Sequence, residues 1–326
     1  MKGKFLLALA LILLLPAGLA WAQGGKKIVL KAGHVVDDNH PYHHGLQKMS
    51  DILSQKTDGR ISIQIYHSSQ LGNERDLIEG MGMGTVDMAG TSSAPASGFV
   101  PGFTVFDLPY IFTSREHAYK VMDGDVGREL LDQLAEKDVI GLGYFENGFR
   151  EITNSVRPIV KPEDLRNIKI RVMESPAPIA TFRALGANPT PMAWGEVFTA
   201  MQQKTIDAQE NPLPVIFGQR VYEVQKYLSM TDHFYAPALL LISRHTLESF
   251  SEADQKVIRE AAAEAVTYER LVSKQQADDY LQQLKEKGLE VNENVDKAAF
   301  IEATKPVYAE FEKEFGQLIK RIRETQ

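Results

Sequence analysis

Residues 144–211 carry Arg150, Arg171 and Asn211, side chains able to grip an acid group that stand in or just after strand-like runs. Arg150 follows an apolar, strand-like run at 139–145. Arg171 lies inside a second run, 168–172, where alternation puts Ile168, Ile170 and Val172 on one face and Lys169, Arg171 and Met173 on the other. A guanidinium held on a strand is a rigid, planar, two-pronged donor suited to a carboxylate. Asn211 follows a short run at 206–209 and carries an amide that both donates and accepts. An arginine in a strand more often belongs to a solvated face or an internal ion pair, so spacing alone establishes a capacity for anion binding and not its use.

Other chemistry-bearing residues are less specific. His34, His40, His43 and His44 lie close to Asp37 and Asp38, a set that could reach zinc. The spacings are not those of a closed structural site, and acid–histidine mixtures at a helix entrance are ordinarily solvated, so no metal is expected. Gly80, Gly82 and Gly84 form neither GxGxxG nor a GK[ST] ending and read as a helix stopping at glycine before a strand. There is no GxSxG elbow, HExxH pair, Walker loop or cysteine nucleophile, and no acid pair is tied to an acid–base neighbour. The expectation is a binding protein without cofactor, not an enzyme.

These residues need a scaffold. Residues 27–32 and 60–66 read as strands and 41–56 as a helix. Leu108, Tyr110 and Phe112 read as core. A strand "ISIQIY", a helix and "GTVDMAG" in the first half are echoed by "IKIRV", helices and "KTIDAQE" in the second, which suggests two related α/β lobes. The apolar run 234–242 would carry the chain back into the first lobe. A helix is predicted over 251–288, entered through Ser251 and Asp254 and stopped by Gly288. Its apolar side is marked by Val257, Ile258, Ala261, Ala265, Tyr268, Val272, Leu281 and Leu284. At roughly 55 Å it must kink or span both lobes. Residues 295–324 form a last helical region in which Pro306 is an expected break.

Composition narrows the setting. Lys2 and Lys4, an apolar stretch at 5–16 and Ala20-Trp21-Ala22 read as an export signal cleaved after Ala22. The apolar stretch is shorter than a spanning helix and contains Pro16. Without cysteine there is neither a disulfide scaffold nor a thiol for lipid attachment, which fits a freely diffusing periplasmic monomer with no membrane insertion after cleavage. Without the leader, 34 basic residues face 43 acidic ones, a net charge of −9. Such a chain is not a general binder of nucleic acid or anionic membrane, and capturing an anion requires a local positive site. About 300 residues suffice for two cores.

The segments "GFR" (148–150), "IKIRVMESP" (168–176), "LGANPTPMAW" (185–194) and "DAQENPL" (207–213) together resemble TRAP-transporter solute-binding proteins of the DctP/SiaP family, over essentially the whole mature chain. The resemblance implies a two-lobed α/β periplasmic-binding-protein fold with hinge crossings and a long helix spanning both lobes. Lobe one would be residues 23–146 plus 236–277, and lobe two 147–235 plus 278–326. It implies that Arg171 clamps a ligand carboxylate, supported by Arg150 and Asn211, with Trp194 packing on the ligand. His34, in the loop after the first strand, and Glu74, Thr91 and Ser92 are implied to line the site. The implied partners are an organic acid and an ion-gradient-driven permease of one small and one large membrane subunit. Together with "NHPYHHGLQKM", the set looks most like the branch that takes sugar acids such as hexuronates. A C4-dicarboxylate, sialic acid or an aromatic acid, or a sensor role beside a signalling receptor, remain open readings.

Overall fold

The computed structural model describes residues 27–325; the expected leader and its cleavage site lie outside the described residues. Nine strands form one sheet: β1 (Ile28–Gly33), β2 (Ile61–Tyr66), β3 (Met88–Ser92), β4 (Val139–Asn154), β5 (Lys169–Val172), β6 (Asn188–Pro191), β7 (Ala208–Asn211), β8 (Tyr227–Ser243) and β9 (Glu290–Asn292). The order is β2-β1-β3-β8-β4-β7-β5-β6, with β9 pairing β8. Parallel β2-β1-β3 at one end and parallel β7-β5-β6 at the other are each backed by helices, giving the expected two-lobed α/β fold.

Two long strands and one long helix join the lobes. β4 and β8 run antiparallel for 16 and 17 residues, paired from Val139↔Ser243 to Asn154↔Tyr227. At about 3.3 Å per residue each spans roughly 50 Å. The helix Glu252–Glu286, 35 residues, matches that length at 1.5 Å per residue, about 52 Å. The strand expected to end before Arg150 therefore continues through it. Its continuity is broken by register shifts at Gly141/Gly143, Glu146/Gly148 and Arg150/Ile152. Gly148 adopts φ +116°, a backbone state that side-chain-bearing residues rarely take, at the second of these shifts.

The core divides accordingly. One buried cluster joins Leu30, Leu46, Leu53 and Ile63 to Ile258, Ala261 and Ala265 of the long helix. Others gather Ile152, Ile170, Val172 and Phe182, and Val197, Ile216, Leu228 and Leu284, around the second lobe. The helix Lys297–Glu324 contributes Phe300 to the second lobe and Val307, Ile319 and Ile322 to a cluster around Phe103, Phe106 and Val139.

Two local expectations are corrected. Pro306 sits inside that last helix on an exposed face, where water can satisfy the carbonyl left unpaired, and the helix is not interrupted. On the long helix Tyr268 is exposed, whereas Glu269 and Ser273 are buried, because the helix passes over the hinge, where polar groups from β4 meet it. Residues 84–87 lead into β3, and Thr91 and Ser92 are the last two residues of that strand. No helix among the described residues is long and apolar enough to cross a membrane.

Candidate functional site

Arg150 projects from β4 and is completely buried. Its Nε and Nη2 donate to the Glu210 carboxylate on β7, Nη2 to Oε1 at 2.9 Å, and Nη2 also donates to the Glu210 main-chain oxygen at 2.5 Å. His233 on β8 lies 3.3 Å from the same carboxylate through Nε2, and its Nδ1 is 2.7 Å from Thr231 Oγ1. Burial pushes the Glu210 carboxyl up, but Arg150 and His233 outweigh it and hold it down at about 2. The side edge of Arg150 is thus fixed from behind, while its Nη1, though buried, has no protein partner.

Arg171 projects from β5, also buried. Its Nε and Nη2 donate to the Met192 carbonyl at 2.9 and 2.8 Å, and the guanidinium carbon lies 5.5 Å from the centre of the Trp194 ring. Among the described residues no carboxylate lies within ion-pair distance of Arg171. Burial pulls its pKa down to about 10, and the nearby Arg150 adds to this while Glu210 opposes it; the side chain stays protonated at neutral pH. In both arginines the side edge is anchored, and the outward N–H groups are left for an acceptor.

A narrow, partly open space lies against these groups, lined by Arg150, Arg171, Glu74, Ser92, Trp194 and Asn211 among others. Trp194 opens the helix Trp194–Gln202 and is partly buried. Asn211 ends β7 and donates through Nδ2 to Gln209 Oε1 at 2.7 Å. Glu74 opens the helix Glu74–Gly82, whose start is fixed by a reciprocal cap between Asn73 and Asp76. One Glu74 oxygen accepts the Ser92 N–H at 2.5 Å. Burial raises the Glu74 carboxyl, opposed by Ser92, Arg171 and Arg150.

Two sequence-expected residues sit behind the wall. Thr91 is fully buried on β3 opposite Leu239, and Ser92 is the neighbour that faces the space. His34 is buried with Nε2 3.2 Å from His43 Nδ1, and Val35 and Val36 line the space in its place. Burial, with His43 and His67 nearby, lowers the His34 pKa to about 3, so its ring is neutral. Conversely, Tyr42, Asn147, Met173 and Val215 line the space without having been singled out. "HPYHHG" and "ENGFR" contained the polar two, but nothing in those strings says which side chain turns inward.

The family model for "Bacterial extracellular solute-binding protein, family 7" (DctP) matches residues 32–314. The 2,3-diketo-L-gulonate-binding periplasmic protein YiaO of Escherichia coli is 35% identical over 301 residues, covering 91% of this chain and 92% of that protein. A TRAP periplasmic solute-binding protein from a Polaromonas species, bound to D-erythronate, superposes with a TM-score of 0.90 at 41% identity, covering 92% of this chain and 99% of the other. The sugar-acid-binding protein DctPAm of Advenella mimigardefordensis, in complex with galactonate, gives a TM-score of 0.90 at 34% identity, with coverage of 92% and 98%.

Proposed function

We propose, from the premise that this chain belongs to bacterial extracellular solute-binding protein family 7, that it captures a sugar acid, a hexuronate or aldonate, between its lobes for delivery to a TRAP permease. One observation carries the reading: two buried guanidiniums line one space, and among the described residues no carboxylate lies within ion-pair distance of Arg171. A ligand carboxylate supplies the missing charge. The ligands bound by the structural neighbours, erythronate and galactonate, support the sugar-acid class.

In this reading Arg171 and Arg150 hold the carboxylate through their outward N–H groups and Asn211 supports it. Trp194 packs against the ligand, and Glu74 and Ser92 face its hydroxyl-bearing end. Capture proceeds by closure. The lobes swing about residues 146–148 and 235–237 and along the long helix, with Gly148 absorbing the backbone change. Asp37, from the loop after β1, already reaches across to Gln219 Nε2 at 2.9 Å, the kind of contact that a shut state would add. A hydrogen bond to a charged group nets about 1.5–3 kcal/mol, and micromolar affinity needs about 8 kcal/mol. The clamp therefore orients the acid, and water exclusion by the second lobe supplies much of the remainder. The chain acts after export and removal of its leader, as a monomer, without metal or cofactor and without turning its ligand over.

The test is isothermal calorimetry of D-glucuronate, D-galactonate and succinate against the mature protein, with mass spectrometry of ligand retained through purification. Micromolar or tighter binding of a sugar acid is the expected result. Binding of none of the acids refutes the proposal.

A further inference from the structure

The polar atoms around the cleft are unequal in what they can accept from a ligand. Arg150 Nη1 and the Tyr42 hydroxyl are buried without a well-formed hydrogen bond, although the Ser92 side chain stands close to the hydroxyl, and both carry protons to donate. Asn147 Oδ1 is also buried and unpartnered, and it can only accept. A carboxylate satisfies donors, so it can complete the arginines, but it offers nothing to Asn147 and is repelled by any charge on Glu74. An ammonium group would satisfy Asn147, but it would have to sit beside two buried guanidiniums. A neutral hydroxyl is the group that gives Asn147 a proton and still takes one from Tyr42.

Both side chains are held where they are by the fold. The register between β4 and β8 passes from Glu146↔Pro237 to Gly148↔Ala236, so Asn147 has no partner across the ladder. It is the extra residue of a bulge, a device that re-aims a side chain. Tyr42 lies in the helix Pro41–Lys56 with its ring 4.5 Å from that of His40 and 6.2 Å from that of Phe145, packing that fixes where the ring stands.

We infer that Tyr42 and Asn147 form a hydroxyl-reading pair that makes this cleft select polyhydroxylated acids over unsubstituted acids of the same length. The inference rests on the acid-capture reading above and adds the rule of selection within it. A site built to hydrogen-bond a hydroxyl rejects the analogue lacking it, because its own buried polar atoms are then stranded.

The experiment is calorimetry on the mature chain with matched pairs: D-gluconate and D-galactonate against hexanoate, and D-erythronate against butyrate. Wild-type protein prefers the best hydroxy acid by about 100-fold or more. Tyr42→Phe, which deletes a single oxygen, and Asn147→Leu each weaken hydroxy-acid binding by about tenfold or more. With the stranded polar atom gone, alkanoate binding tightens or stays level in either variant, so the preference shrinks from both sides. An unchanged preference in Tyr42→Phe overturns the inference whether or not Asn147→Leu folds. Alkanoates bound by wild type as tightly as hydroxy acids overturn it while leaving acid capture standing. Binding of neither class refutes acid capture and the inference with it.

Discussion

Replacing Arg171 by alanine removes a buried cation that, among the described residues, has no carboxylate within ion-pair distance. Its side edge is occupied by the Met192 carbonyl, so the N–H groups left for the ligand number at most two well-directed donors. At about 1.5–3 kcal/mol for each hydrogen bond to a charged group, their loss costs roughly 3–6 kcal/mol, or about 100-fold to 10⁴-fold in Kd. Arg171→Lys keeps a charge but cannot bridge the Met192 carbonyl and the ligand with one planar group, and it falls between alanine and wild type. The assay is calorimetry of the best sugar acid, paired with ligand-induced shift in Tm. Because Arg171 in the free protein is a desolvated charge with its pKa pulled down, its removal does not lower the Tm of the ligand-free form appreciably. A Kd for Arg171→Ala within about threefold of wild type, with an intact fold, refutes the clamp.

Trp194→Ala loses a ring stacked near Arg171 and facing the cleft, and is expected to weaken ligand binding about tenfold while far-UV circular dichroism stays unchanged; unaltered affinity would make Trp194 a packing residue. A methyl group at Gly218 would overlap the Asp37 carboxylate that faces it across the lobes, so Gly218→Ala is expected to weaken binding several-fold through closure, with little change in the Tm of the ligand-free protein. Equal affinities would show that the Asp37 contact is not part of the bound state. Burial raises the Glu269 carboxyl well above its ordinary value, so the stability contributed by its proton is present below the unfolded pKa and is lost as pH rises through the folded one. Glu269→Gln keeps an acceptor for the Glu146 N–H and should flatten the fall in Tm as pH rises above the ordinary carboxyl range. An identical pH profile would exclude Glu269 as its source.

Much of the scaffold was readable in advance. The helix 41–56, the strands near 27–32 and 60–66 and the long helix from Ser251 follow from periodicity, caps and glycine stops, which are local interactions within a few residues of one another. The clamp reading rested on the resemblance, because alternation places an arginine on a face without saying what that face meets. The errors arose where the environment came from elsewhere in the chain. Glu269 reads as a solvated residue until β4 is laid across the hinge, and Tyr268 reads as core until the helix passes beyond the surface that would cover it. Pro306 reads as a break until its free carbonyl is seen to face water.

The sequence by itself determined that this chain is an exported-type, acidic, two-lobed α/β protein with arginines on interior strands, because propensity, alternation and charge are properties of short segments. Only the tertiary structure decided which edges of those arginines are spent on Glu210 and Met192 and which remain for a ligand. It also decided that Tyr42 and Asn147 face the cleft while His34 and Thr91 stand behind it. Strand alternation assigns a side chain to a face, but what lies opposite that face is set by residues tens to hundreds of positions away. A one-residue bulge such as that at Asn147 is enough to turn a side chain toward or away from the space where the chemistry happens.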